Sequence, residues 1–167
     1  MKKGISLIEV LIYLSVAFVV MAVVIGFVFW LIDSNNKNRI MREVSNSAKR
    51  SLEIITHEIR EADGIYNPTT FSTQLSLETR HYLPTEESST YIDFYLCSSR
   101  LCLKKESQDP IVLTPDNVEI SSLSFTYVSP DSVKIDISLR YKNVSGRPEY
   151  DFSTSLSSAA SLRYYAE

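Results

Sequence analysis

Three small sets of residues in this 167-residue chain could take part in chemistry. Glu9 places a carboxylate at the start of a strongly apolar stretch, Cys97 and Cys102 are its two cysteines, and His57 and His81 are its two histidines. A carboxylate within an apolar segment is costly unless a cationic group pairs with it. A thiol pair can form a disulfide, and imidazoles bind metals or move protons.

Glu9 has two physical interpretations. An acidic side chain at the centre of a bilayer costs about 2.5 to 3.5 kcal/mol, and such groups usually pair inside a protein assembly. Alternatively, Glu9 lies at the membrane surface, where the positive N-terminal end of a helix dipole favours a carboxylate without any further role. The charge alone does not choose between the two.

The apolar stretch after Glu9 predicts a membrane-spanning helix. No charged residue occurs from Val10 to Ile32, and only Ser15 and Gly26 interrupt the aliphatic and aromatic side chains. A span needs about 20 apolar residues, whereas the apolar core of a secretory signal has about 7 to 15. We therefore expect the segment to stay in the protein as a transmembrane helix.

The residues before Glu9 add a motif. Met1-Lys2-Lys3-Gly4 is a short basic leader that ends in glycine, and Glu9 follows this glycine at a distance of five positions. The arrangement resembles the class III signal of type IV prepilins. The resemblance implies that a membrane-embedded prepilin peptidase cuts between Gly4 and Ile5 and that the new Ile5 amine is N-methylated. It also implies that Glu9 pairs with the terminal amine of a neighbouring subunit.

This chain departs from the usual family pattern just after the cut. In the family, the first mature residue is usually phenylalanine and the second is often threonine. This chain has Ile5 and Ser6 at these two positions. Both replacements keep the size class and polarity. Lys2 and Lys3 agree with an N-terminus on the cytoplasmic side.

Beyond the apolar stretch, spacing predicts that the helix continues to about Asp63. Apolar residues recur in steps of three and four, the spacing of one helix face: Ile40, Val44, Ala48, Leu52, Ile55, Ile59 and Ala62. Charged residues lie between them. A polar patch at Ser34 to Asn36 is a candidate bend, and Gly64 is a candidate left-handed cap.

The rest of the chain alternates apolar and polar residues, as strands do. The predicted strands are Gln74 to Glu78, Tyr91 to Leu96, Leu101 to Lys104, Val118 to Val128, Val133 to Tyr141 and a last strand or pair within Tyr150 to Tyr165. A long helix packed on an antiparallel sheet is an α+β fold. We divide the chain into a leader (1–4), a transmembrane or filament-core helix (5–32), its amphipathic continuation (33–64) and a β head domain (65–167).

The order of features after the helix resembles the J-type minor pseudopilins of type II secretion. The residues that carry this resemblance are 58–62, 94–96, 101–104 and 113–118. It implies a pilin-like fold and a structural subunit, a minor pilin or pseudopilin of a type IV pilus or type II secretion pseudopilus. The implied partners are other subunits through the N-terminal helix, the prepilin peptidase, the inner-membrane assembly platform and, before assembly, lipid. The implied location is the cytoplasmic membrane, with the head domain outside the cytoplasm.

Cys97 and Cys102 are close enough in sequence to face each other across a hairpin. A two-residue turn at Ser99-Arg100 would place them directly opposite, where strand backbones come closest. A disulfide in so short a loop contributes about 2 kcal/mol. Two reduced cysteines are the alternative.

Other functional classes have little support in the sequence. Zinc would need two further ligands besides the cysteines, and Asp116-Asn117 supplies far fewer oxygens than the six to eight that calcium takes. A net charge of -3 gives no general attraction for nucleic acid, and acidic residues interleave with Arg39, Arg42, Lys49 and Arg50. We expect no enzyme activity, metal, cofactor or nucleic-acid partner.

One hypothesis from another class stays open. The chain could be a signal-anchored, single-pass membrane protein whose extracytoplasmic β domain binds a ligand and never polymerises. In that case Lys2 and Lys3 only set the topology, and Gly4 is never cut.

Overall fold

The computed structural model describes residues 7–67, 72–81, 87–106, 108–128 and 131–163. The chain divides into two units, Met1–Arg39 and Ile40–Glu167. Helix α1 (Leu7–Glu61) begins in the first unit and ends in the second, and it continues through the polar patch at Ser34 to Asn36. The elements after α1 are β1 (Gly64–Ile65), β2 (Leu75–Thr79), β3 (Thr90–Cys97), β4 (Arg100–Lys105), β5 (Ile111–Val112), β6 (Val118–Val128), β7 (Ser132–Tyr141), a short 3₁₀ helix (Pro148–Tyr150) and β8 (Ser153–Ser161).

In the second unit, α1 buries the face that the sequence spacing predicts. Ile40, Val44, Ala48, Ile55 and Ile59 are almost or fully inaccessible to solvent, and so are Leu52 and Ala62. Each step of three or four residues brings the next side chain back to the same side of a helix. The predicted stripe is therefore confirmed as the helix contribution to the core.

The first sheet supplies one set of core residues. Within the described residues it has five antiparallel strands in the order β1-β2-β3-β4-β5. Leu75, Leu77, Ile92 and Phe94 are fully or almost fully buried in β2 and β3. An ion pair with a separation of 3.6 Å joins Lys105 Nζ of β4 to Glu58 Oε1 of α1, and little of either side chain is exposed. Polar and apolar contacts thus fix α1 against the same sheet.

The second sheet is a three-stranded antiparallel meander, β6-β7-β8, in the part of the chain that the structure describes. Val133, Ile135, Ile137 and Leu139 alternate into the core along β7. The β6–β7 register shifts between Ile120 and Ser122, where the two strands form an irregularity typical of a β-bulge. The predicted β6–β7 hairpin is confirmed, and so is the α+β class.

Several details differ from the sequence prediction. The head contains two sheets instead of one, and the two-residue strands β1 and β5 were not predicted. Gly64 is not a left-handed cap, because its backbone pairs with Glu78 in β1–β2 and the positive-φ glycine among the described residues is Gly146. The amide of Asp63 already donates to the carbonyl of Glu78 at 2.9 Å. The chain therefore passes directly from the helix into β1, and no left-handed backbone conformation is needed at Gly64.

The core predicts a contrast between two isoleucines. Ile55 is fully buried, whereas Ile111 is 50% exposed. Ile55→Ala should lower the free energy of unfolding by about 2 to 5 kcal/mol because it leaves a cavity. Ile111→Ala removes the same atoms from the surface and should cost no more than about 0.5 kcal/mol. Denaturant unfolding of the full chain in detergent, followed by circular dichroism, measures both; equal losses would contradict this packing.

Candidate functional site

Glu9 lies in the first turn of α1, where the free helical N–H groups give a local positive potential. Its side chain is exposed, and the hydroxyl of Tyr13, one turn later, donates to Glu9 Oε1 at 3.4 Å. Gly4 and Ile5, the predicted processing residues, lie outside the described residues. Within residues 7–32, Glu9 is the one charged side chain.

The rest of this helical segment presents apolar side chains to its surroundings. From Val10 to Ile32 each large apolar side chain is at least 43% exposed, and the most apolar stretch of the helix has no buried residue in the structure. The segment is about 35 Å long at 1.5 Å per residue, enough to cross a hydrocarbon core of about 30 Å. By length and composition, α1 could span a membrane.

The hydroxyl of Ser15, inside the apolar segment, is satisfied within the helix. The hydroxyl of Ser15 donates to the carbonyl of Ile12 at 2.8 Å, so its polar hydrogen needs no water. A membrane helix requires such internal pairing because the lipid interior offers no hydrogen-bond partners. The carboxylate of Glu9 is different, since a nearby tyrosine hydroxyl does not neutralise its charge. Within residues 7–32, a single charge at one end of an apolar helix is the distinctive chemical feature.

Cys97 and Cys102 are joined by a disulfide, with their Cα atoms 5.9 Å apart. Their geometry differs from the predicted one. The two-residue turn is formed by Ser98 and Ser99, both with positive φ, so Cys97 pairs with Arg100 and Cys102 pairs with Tyr95. The cysteines are therefore diagonal neighbours on one face of the hairpin, not directly opposite residues. Left-handed backbone at both turn positions matches the right-handed twist of the strands, which is why this turn forms.

The tip of the β3–β4 hairpin makes contacts with both sheets. The amide of Ile120 in β6 donates to the carbonyl of Ser99 at 2.8 Å, and the amide of Leu113 donates to Leu101 at 2.8 Å. The guanidinium of Arg100 forms an ion pair with the carboxylate of Asp116. The disulfide thus closes the hairpin at the place where the two sheets are hydrogen-bonded to each other.

The pair Asp116-Asn117 has a structural role. While Asp116 pairs with Arg100, Asn117 Nδ2 donates to Glu43 Oε1 of α1 at 2.6 Å. Both residues lie in a turn before β6. In the part of the chain that the structure describes, no three histidine, cysteine, aspartate or glutamate side chains lie close enough to hold a metal ion.

The remaining candidate residues lie on the surface. His57 is exposed on α1, and His81 Nε2 lies 3.9 Å from Glu61 Oε2. Arg42, Lys49 and Arg50 are exposed on α1, where acidic residues alternate with them. An open depression of about 410 Å³ beside Tyr141 and Tyr150 is lined mainly by loop residues. None of these features brings together the groups of a catalytic site.

No protein-family model, curated protein sequence or solved structure matches the chain. The structure itself defines an α+β protein with a long N-terminal helix that could cross a membrane. The N-terminal part of that helix is therefore the candidate functional site.

The disulfide yields a stability prediction. Replacing both cysteines (Cys97→Ser with Cys102→Ser) should lower the free energy of unfolding by about 2 kcal/mol, because the closed loop restricts the unfolded chain. Denaturant unfolding of the full chain in detergent measures the loss. Adding reductant should destabilise the native protein by a similar amount and leave the double variant unchanged. A reductant effect of equal size on the double variant would show that the loss does not come from this bond.

Proposed function

We propose that this protein is a pilin-like structural subunit, a minor pilin or pseudopilin of a type IV pilus or type II secretion pseudopilus. The observation that carries the proposal is the N-terminal part of α1. It exposes apolar side chains over the length of a membrane span, and Glu9 is its single charge between residues 7 and 32. A surface of this kind requires lipid or other apolar helices around it.

Removal of the leader residues would allow one helix to lie first in lipid and later among the helices of other subunits. Cleavage between Gly4 and Ile5 would remove Lys2 and Lys3 and create a positively charged amine at Ile5. Glu9 lies four positions after Ile5, a rise of about 6 Å along a helix. In a bundle of staggered subunits, the carboxylate of one helix can meet the amine of the next. Each buried charge then removes the penalty of the other.

This mechanism gives each region a separate role. The processed helix is stored in the cytoplasmic membrane with its N-terminus inside, and it moves from lipid into the filament core during assembly. The β head domain lies outside the cytoplasm. Its partners are other subunits, the prepilin peptidase and the inner-membrane assembly platform. The protein acts by assembly, without catalysis or a cofactor.

The mature N-terminus is the first test. Mass spectrometry of the protein purified from the cell that makes it should show a chain that begins at Ile5 with a methylated or free amine. A Gly4→Leu variant should keep Met1 and its leader, because the bulkier side chain prevents the close approach of a peptidase to the backbone. A native chain that retains Met1 would support a signal-anchored, ligand-binding membrane protein and overturn the pilin proposal.

The charge on Glu9 is the second test. Glu9→Val should leave membrane insertion unchanged or improved, because it removes a charge from an apolar segment. The same substitution should lower incorporation into filaments at least tenfold, because the neighbouring amine loses its partner. Quantitative immunoblotting of membrane and sheared-filament fractions measures both effects.

Tyr13→Phe provides the matched control for Glu9→Val. It removes the hydroxyl that contacts Glu9 and keeps the carboxylate. We expect it to assemble at close to the native level. Equal assembly of Glu9→Val and native protein would contradict the amine-pairing role.

A further inference from the structure

Strand β8 forms an open sheet edge. It runs for nine residues in unbroken register with β7, and no strand in the described ranges pairs with its other side. Natural sheets usually protect such an edge with a charge, a proline or a bulge, because free backbone groups invite another strand. None of these devices occurs within β8, and the chain from Phe152 to Leu162 contains no charged residue. The edge therefore keeps its capacity for strand pairing over its whole length.

Two hydrogen bonds show which backbone groups of β8 are turned outward. The amide of Tyr141 donates to the carbonyl of Phe152, and the amide of Leu162 donates to that of Asp131, each at 2.9 Å. In an antiparallel pair these directions alternate along the strand, so the even-numbered residues face β7. Five exposed residues turn their N–H and C=O groups to the free edge: Ser153, Ser155, Ser157, Ala159 and Ser161.

The serine side chains in the middle of β8 are engaged with β7. Ser155 Oγ lies 2.8 Å from Ser138 Oγ, and the side chain of Ser157 forms a hydrogen bond with the carboxylate of Asp136. Both contacts reach toward β7 and away from the free edge. These two side chains therefore leave the outward backbone groups to a partner from outside the sheet.

The remaining edges of the same chain are poor partners for β8. The edge strands of the first sheet, β1 and β5, have two residues each. The β6 edge is tied to other segments, since the amide of Phe125 donates to Ser72 and that of Ile120 donates to Ser99, both at 2.8 Å. Within the described residues, no edge of a second copy other than β8 itself thus offers a strand of matching length.

Pairing between the β8 strands of two copies is also excluded. An antiparallel pair has its two-fold axis perpendicular to the sheet, and this axis reverses α1, which packs against the sheets. The N-terminal helices would then point in opposite directions, whereas the proposed function requires like-oriented helices. A parallel pair would place Asp151 beside Asp151 and Arg163 beside Arg163, and facing like charges are destabilising. The partner therefore belongs to a different polypeptide.

We propose that β8 binds an extended segment of a different exported polypeptide, which adds to the β6-β7-β8 meander as an antiparallel fourth strand. Backbone hydrogen bonds supply the affinity in this mode of recognition, and the neighbouring side chains supply the specificity. The proposal rests on the proposed function for the location of the partner alone, since the head lies outside the cytoplasm.

The charges beyond the ends of β8 define the chemistry of the bound segment. Asp151 and Arg163 are both exposed, and Arg163 lies twelve positions after Asp151. A segment centred opposite Ser157 therefore needs an acidic residue opposite Arg163 and, twelve positions later, a basic residue opposite Asp151. Arg163 Nη1 already lies 3.9 Å from Glu61 Oε1, but a guanidinium has five N–H donors, enough for a second carboxylate. The residues between the two charges should be uncharged, as those of β8 are.

A pair of synthetic peptides tests the backbone pairing. Both have the sequence Asp-Val-Thr-Val-Thr-Val-Thr-Val-Thr-Val-Thr-Val-Arg, which places its threonines opposite the outward-facing residues of β8. In this register the N–H groups of the threonines face β8, and those of the valines face away. The valine-methylated peptide carries N-methyl groups on two valines, which also prevents its self-association. The threonine-methylated peptide carries them on two threonines and is the matched control.

The valine-methylated peptide should bind saturably to the full chain, with an affinity about tenfold higher than that of the threonine-methylated peptide. Fluorescence anisotropy of the labelled peptides, titrated with the protein in detergent, measures both dissociation constants. The two peptides have the same composition, so partition into micelles affects them equally. No saturable binding of the valine-methylated peptide, or equal affinities, would overturn the proposal.

Exchange of the terminal charges tests the direction of the bound segment. A valine-methylated peptide that begins with arginine and ends with aspartate places like charges opposite Arg163 and Asp151. It should bind about tenfold more weakly, because two attractive pairs become repulsive. Equal or tighter binding of the exchanged peptide would contradict the antiparallel register and the assigned charges.

Two substitutions at one exposed position test the edge from the side of the protein. Ala159→Pro removes an outward N–H and leaves the even-numbered residues paired with β7, a position where a sheet tolerates proline. It should weaken binding of the valine-methylated peptide about tenfold. Ala159→Val keeps the N–H and should bind like the native protein. Circular dichroism verifies that both variants are folded, and equal binding by the two would exclude this edge as the site.

Light scattering of the native chain over a dilution series checks the excluded partner. We expect no dimer that depends on β8. A native dimer that Ala159→Pro dissociates would assign the edge to a second copy and overturn the proposal. None of these measurements involves cleavage after Gly4 or the charge of Glu9, so their failure is distinguishable from a failure of the pilin proposal.

Discussion

Burial of one face of α1 is the interaction on which the head structure depends. A sheet with one apolar face must bury that face against another element, and the two sheets here do so by covering the stripe from Ile40 to Ala62. The polar contacts of the second unit follow from that placement. Lys105 can reach Glu58 and Asn117 can reach Glu43 because the helix already lies against the sheet region.

Periodicity made the larger elements predictable from sequence, because a buried face imposes a spacing that depends little on the rest of the fold. The α1 stripe and the β6–β7 hairpin both follow from it. Short elements were not predictable, since β1 and β5 contain two residues each and their pairing depends on strands that are distant in sequence. Gly64 shows the same limit. A glycine after a helix usually indicates a cap. Here Gly64 instead begins β1, which forms only because β2 pairs with it.

The candidate site was predictable to the extent that its chemistry is local. The contrast between Glu9 and its apolar neighbours is visible in the sequence, and the structure adds the helix turn that brings Tyr13 to it. For the cysteines, the spacing identified the hairpin, but the turn position lay one residue away from the predicted one and made the pair diagonal. The open edge of β8 was missed altogether. Its signal was a small side chain, serine or alanine, at each odd position from 153 to 161, which can be interpreted only after β7 is known to occupy the other side.

The strand order has a consequence for folding kinetics. Both sheets place their strands in the order of the sequence, so within each sheet every strand after the first pairs with the strand that precedes it. Contacts between segments that are close along the chain need little loop closure, and such topologies fold faster than those with distant pairings. A chain that is synthesised from its N-terminus can therefore add strands one at a time. The last strand to arrive, β8, needs only β7 as its template.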